Sequence, residues 1–129
     1  GRTGDLTGSD AIAWQVDRGT PYVPSPLLLD DNIYVLSSNR GVLSCFEAKT
    51  GTPVFAEKDI EGLRTVYASP VAAGAKIYIA DREGTVAVVN PDGTLLAANT
   101  LDEGCSASPV VIGDRLYLRS EKHLYCIAE

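Results

Sequence analysis

Residues 68–84 read ASPVAAGAKIYIADREG: an apolar run opened by Ser-Pro, a Gly turn, a second apolar run around a central Tyr, and a polar loop closing on Gly. Nearly the same phrase stands at residues 25–41, SPLLLDDNIYVLSSNRG, and again at 108–118, SPVVIGDRLYL. Ser25-Pro26, Ser69-Pro70 and Ser108-Pro109 lie 44 and 39 residues apart, and Ile33-Tyr34-Val35, Ile77-Tyr78-Ile79 and Leu116-Tyr117-Leu118 keep the same offset from them. A period of this size marks a repeat architecture, because one such unit cannot cover its own apolar faces and must stack on neighbours.

A third apolar run follows in each copy, LSCF at 43–46, VAVV at 86–89 and LYCI at 124–127. A more polar fourth run, PVFAEKDI at 53–60 and LLAANTLD at 95–102, follows the turns KTGT and PDGT. Short runs rich in Val, Ile, Leu and Tyr with Gly, Asn or Asp between them predict antiparallel strands in a meander. The first three runs are apolar almost throughout, so both their faces should be buried, whereas the fourth should be an exposed edge. The expected fold class is all-β without helix: about three β-propeller blades, each a four-stranded antiparallel meander packed on the next. With strands lettered A to D from the inside, residues 1–10 are an N-terminal tail, 11–18 an outer strand D completing a blade, 19–60 blade 1, 61–102 blade 2, and 103–129 a blade 3 lacking its outer strand. Pro has no N–H, so the Ser-Pro pairs suit the start of strand A, which lines the channel with a neighbour on one side only.

At 129 residues the chain suffices for one domain with a real core. A net charge of −6 argues against a nucleic-acid partner, since phosphate binding needs clustered Lys and Arg. No apolar stretch is long enough to span a bilayer. The chain opens on Gly1 and contains no Met, which predicts a processed or excised chain. Cys45, Cys105 and Cys126 fit no Cys-x-x-Cys spacing and read as buried small apolar residues. No intrachain disulfide is expected, because Cys45 and Cys126 occupy the same place in strands C a full blade apart.

CFEAKTGTPVF at 45–55, AIAWQVDRG at 11–19 and the Ser-Pro strands together resemble the pyrroloquinoline-quinone-like β-propeller repeat over roughly residues 11–128. In that family a blade ends on a pattern like Asp-Ala-x-Thr-Gly-x-x-x-Trp. Ala48, Lys49, Thr50 and Gly51 match it, Glu47 stands for the Asp and Phe55 for the Trp. Trp14, 41 residues earlier, looks like that Trp in the preceding repeat, and Ala97 occupies its place in the next. The resemblance implies that this aromatic docks one blade on the Thr-Gly turn of the next. It also implies an extracytoplasmic, bacterial location, the chain being similar to the closing blades of exported repeat proteins. Members range from quinoprotein dehydrogenases to cofactor-free scaffolds, so the fold alone does not name an activity.

Quinone chemistry in this family would need a Ca²⁺ site of six to eight converging oxygens and, usually, an adjacent Cys pair. No adjacent Cys pair is present, and Asp30-Asp31 falls in an A–B hairpin turn where acids are common for local reasons. No cofactor and no metal site are therefore expected. His123, the one histidine, sits in the last B–C loop and reads as solvated. The meander puts B–C and D–A loops on one upper face, which gathers Arg18, Tyr22, Arg40, Arg64, Tyr67, Arg82, Lys122 and His123 as candidate interaction residues. Asp17, Asp81, Glu83, Asp102, Glu103 and Glu121 on the same loops make that face mixed in charge.

Two functional expectations follow. The first is a non-catalytic scaffold whose partner is itself or the remaining blades of a longer propeller. The assembly residues would be Trp14, Leu124 and Cys126, with strand 11–17 pairing against 124–127 of a neighbouring copy to give a ring or a filament. The second is an enzyme, a fragment of a quinone-dependent dehydrogenase.

Overall fold

The computed structural model describes residues 1–37 and 39–128; Ser38, in the expected first B–C loop, and Glu129, the last residue assigned to blade 3, lie outside the described residues. Eleven strands and no helix are found among the described residues. The first sheet is β1 (Leu27–Leu29), β2 (Asn32–Leu36), β3 (Val42–Glu47) and β4 (Pro53–Asp59); the second is β5 (Val71–Ala73), β6 (Lys76–Ala80), β7 (Thr85–Val89) and β8 (Leu95–Thr100). The third is β9 (Val110–Ile112), β10 (Arg115–Arg119) and β11 (Leu124–Ala128). Each is an antiparallel meander in sequence order, as the repeat predicts.

The three copies repeat down to the register. Leu27 faces Tyr34, Val71 faces Tyr78 and Val110 faces Tyr117. The two-residue A–B turn needs a left-handed first residue. Gly74 and Gly113 take it at φ 56° and 60°, and Asp30 takes it at φ 52° in the first sheet. Asp tolerates that region better than most side-chain-bearing residues, which accounts for the acidic turn at 30–31 without invoking a ligand.

Residues opposite one another on paired strands share a face, so each sheet has a leading face toward the preceding sheet and a trailing face toward the next. Tyr34, Leu36, Leu43 and Cys45 on the trailing face of the first sheet interdigitate with Ile77, Ile79, Ala87 and Val89 on the leading face of the second. Ile60, Leu63 and Val66 of the connecting loop seal the top of this core. A smaller core joins the second and third sheets through Ala80, Val86, Cys105 and Leu118. The outer strands β4 and β8 are largely exposed, as their polar sequences predict.

The Ser-Pro pairs do more than start a strand. The N–H of Ser25 donates to Ser69 Oγ and the N–H of Ser69 donates to Ser108 Oγ, both at 2.9 Å. One serine per repeat thus ties each inner strand to the next.

Residues 12–17 pair with no strand of their own chain; the pairing expected of them is with a neighbouring copy. One expectation needs correction. The third sheet is not buried on both faces: its trailing face carries no neighbour within the chain, so Val110, Ile112 and Leu124 are 50 %, 63 % and 71 % exposed.

Candidate interaction surfaces

The N-terminal segment is held by its tryptophan. Trp14 lies flat against Gly51 in the Lys49–Thr52 turn, and its indole N–H donates to the Ala48 carbonyl at 3.0 Å. Gly51 is required there: its φ is 72°, and a Cβ would stand 2.6 Å from the indole ring. Phe55 repeats the contact one sheet on, with its ring edge beside Gly93 in the Pro91–Thr94 turn and Lys58 donating to the Asp92 carbonyl at 3.1 Å. Trp14 is therefore docked on the Thr-Gly turn of the first sheet, as the repeat resemblance implies. Beneath it a pocket of about 250 Å³ opens on the leading face, walled by Ile33, Val35 and Phe46 and roofed by Trp14, Val16 and Pro21.

The upper face is organised by carboxylates rather than arginines. Asp81, counted from sequence among the acids that make this face mixed in charge, is fully buried. Its oxygens accept backbone N–H groups from Thr85 at 2.7 Å, Arg64 at 3.0 Å and Glu83 at 3.1 Å, locking the β6–β7 loop to the loop that leads into β5. Ser120 occupies the same place in the third sheet, where the carboxylate comes instead from Glu103. Glu103 accepts from Ser120 Oγ at 2.6 Å and the Lys122 N–H at 3.1 Å, and lies 2.7 Å from His123 Nδ1. These partners, the Ser120 hydroxyl first, hold the Glu103 carboxyl below its ordinary range. His123, read as solvated, is thus an exposed ring anchored to a carboxylate.

The loops interlock so closely that Gly84, at φ 94°, would place a Cβ 2.5 Å from the Glu103 carbonyl. Arg40, Arg64 and Arg82 come together through their backbones, Arg40 bridging to Thr65, and the Arg82 and Gly41 N–H groups donating to the Thr65 and Arg64 carbonyls. Their side chains are exposed, with the Arg82 guanidinium 4.8 Å over the Tyr67 ring. Lys122 is exposed beside them in sequence with His123, while Arg18 and Tyr22 are exposed on the N-terminal segment, Tyr22 at 77 %.

The cysteines divide. Cys45 and Cys105 are buried free thiols, and burial raises both, the negative charges of Asp81 and Glu103 adding to the effect at Cys105. Cys126, expected to be buried, is exposed on the bare trailing face. Tyr34 is pushed up to about 12 by burial and by its hydrogen bond with Cys45.

A second cavity, about 660 Å³, lies between the second and third sheets near their A–B turns, bounded by Ala73, Tyr78, Leu116 and Ile127 with Lys76 and Arg115 at its mouth. At the first joint Leu27, Leu29 and Phe55 pack against the core, where the second sheet has Val71, Ala73 and Ala97.

No family model matches the sequence. No curated protein matches it either. Solved structures do share its architecture: BamB from Moraxella catarrhalis matches with a TM-score of 0.59 at 18 % identity over 80 % of this chain and 41 % of that one. The computationally designed Ika4 matches with a TM-score of 0.65 at 10 % identity over 80 % of this chain and 63 % of its own. The designed Ika8 matches at 0.65 and 10 % over 81 % of this chain and 32 % of its own. The sheets are β-propeller blades. The chain spans less than two thirds of each of these neighbours. No helix of the described residues is long and apolar enough to cross a membrane.

Proposed function

We propose that the chain is a non-catalytic β-propeller module, a scaffold that associates through its two blade faces, copy to copy, into a ring or filament. The observation that carries this reading is the contrast between equivalent residues of strand C. Leu43 is 0 % exposed and Val86 6 %, whereas Leu124, in the same place on the third blade, is 71 % exposed. An apolar blade face in water drives association. Three blades are fewer than the four to eight of a closed propeller, so two copies would make a six-bladed ring.

The geometry around the acids favours a scaffold over an enzyme. Ser120 Oγ donates to Glu103, while its contacts with His123 are to the main chain and not the ring, so Ser120 is not paired with an imidazole base, and Glu103 also accepts the Lys122 N–H and lies against His123 Nδ1. Asp81 is fully used as a backbone acceptor. A Ca²⁺–quinone site does not fit these residues: Asp30 and Asp31 are exposed in a hairpin turn, and no three His, Cys, Asp or Glu converge among the described residues. An extracytoplasmic location belongs to the same proposal, on the strength of the repeat resemblance.

One observation favours a second reading, in which the open faces meet further blades of a longer propeller: the match reaches only 41 % of BamB. Sedimentation of the isolated chain at micromolar concentration separates the two. Twice the chain mass or more supports association of copies; a stable monomer leaves only the longer propeller. A stoichiometric chromophore retained after incubation with pyrroloquinoline quinone and Ca²⁺ would overturn the non-catalytic reading.

A further inference from the structure

The joints inside the chain specify how two copies should meet. We infer that the third blade of one copy seats on the first blade of the next, and that residues 12–17 of that next copy add to β11 as its fourth strand, with Trp14 opposite Cys126 and Ile12 opposite Ile127. This rests on the self-association reading above and makes it specific.

Three independent features fix the arrangement. The first is register. Strands β3 and β4 pair Cys45 with Phe55 and Phe46 with Pro53, skipping Val54. Strands β7 and β8 pair Val88 with Ala97 and Val89 with Leu95, skipping Leu96. Cys126 stands where Cys45 and Val88 stand, each opposite the central tyrosine of its neighbouring strand, Tyr117, Tyr34 and Tyr78. Trp14 stands where Phe55 stands, since both ride on the glycine of the next blade's turn. The repeat then places Trp14 against Cys126, Ile12 against Ile127, and Ala13 as the skipped residue. Trp14 already anchors this segment to the first blade, so the strand is presented at the position a neighbouring sheet would need.

The second feature is the serine ladder. Each serine N–H donates to the hydroxyl of the next blade's serine. Among the described residues the Ser108 N–H and Ser25 Oγ are left over, one at each end and of opposite character, so Ser108 of one copy donates to Ser25 of the next. The third feature is shape. The trailing residues Leu124 and Cys126 meet a leading face whose Ile33 and Val35 correspond to the Ile77 and Ile79 that receive Leu43 and Cys45 within the chain, and the 250 Å³ pocket lies there.

The test uses disulfide trapping on the whole chain. In a Cys126→Ser background, the pair Ile12→Cys and Ile127→Cys should oxidise to covalent dimers or a ladder on a non-reducing gel, and the shifted pair Ala13→Cys and Ile127→Cys should do so at least tenfold less. Without any substitution, alkylation of Cys126 should slow at least tenfold between dilute and assembled protein, while the buried Cys45 and Cys105 react slowly throughout. Ser25→Ala should weaken association several-fold and leave the dilute chain's melting unchanged. If the chain assembles but links equally at 13, closes a 12–127 link within one chain, or keeps Cys126 reactive, the register and face inferred here are wrong while association stands. A monomer at every concentration removes both.

Discussion

Leu43 and Leu124 sit at the same point of the same strand in the first and third blades, and Leu29 and Ala73 at the same point in the first and second. The joint between blades 1 and 2 is sealed by a buried leucine, an inter-blade aromatic and a buried acid. The joint between blades 2 and 3 has smaller residues, a 660 Å³ cavity and an acid supplied from the other side of the interface. Identical backbone topology thus gives one well-filled joint and one under-filled, looser-packed joint. The difference teaches that the repeat fixes the sheets, while the side chains at each joint decide how firmly they hold.

The largest effect should come from Asp81. Asp81→Ala removes the buried acceptor of three backbone N–H groups, that of Thr85 buried and those of Arg64 and Glu83 part-buried; at about 1–3 kcal/mol for the buried one and less for the others, a loss of about 3 kcal/mol is expected in urea unfolding. Ser120→Ala, at the same place in the looser joint, removes the hydroxyl that donates to Glu103 and accepts the His123 N–H, and should cost about 1–2 kcal/mol, less than Asp81→Ala because it leaves one backbone N–H and not three without its acceptor. Equal losses at the two sites would break the distinction between the joints. Next is the aromatic dock. Phe55 is half-buried between blades, and Phe55→Ala should cost about 2–3 kcal/mol, at or below the low end for a buried ring, whereas Ala97→Gly at the equivalent point reports only strand propensity, about 1 kcal/mol or less.

The repeat in Ser-Pro and Ile-Tyr-Val made the blades, their strand order and the turn positions legible from sequence, because alternating turn chemistry and apolar runs are local signals. The docking places of Trp14 and Phe55 were legible as what the resemblance to the family's Thr-Gly-x-x-x-Trp pattern implies. Asp81 was not: a loop acid looks solvated until a second loop, seventeen residues earlier at Arg64, folds over it. The serine ladder was hidden behind the proline that follows each serine; its signal, one hydroxyl at a fixed phase in every repeat, was present but pointed to no partner. The looseness of the second joint was latent in Leu29 against Ala73 and Phe55 against Ala97, since a cavity is a sum over positions distant in the chain.

Filling that cavity should convert one joint toward the other. Ala73 is on the trailing face and borders the empty space, where blade 1 carries Leu29. Ala73→Leu should raise stability by up to about 1 kcal/mol, as cavity-filling changes commonly do. The measurement is the urea midpoint at constant slope. A loss instead would mean that the cavity walls do not admit a leucine and that the joint is held open by its backbone.

The smallest expected effect is one of pH, confined to the looser joint. Glu103 is held below the ordinary carboxylate range by the Ser120 hydroxyl, then by the Lys122 N–H and His123. Its folded value lies below its unfolded one, so its contribution is present above the unfolded value and fades as pH falls through the folded one. Above pH 5 the chain should be more stable than Glu103→Gln, and the gap should close as the solution is taken below the ordinary carboxylate range. Glu103 links the D–A loop to Ser120, Lys122 and His123 of the B–C loop, so the same acidification should raise amide exchange at Ser120–His123 before it affects Asp81–Thr85. Exchange that rises together in both loops, or a stability gap that persists unchanged into acid, would show that the third blade is held by its core contacts and not by this carboxylate.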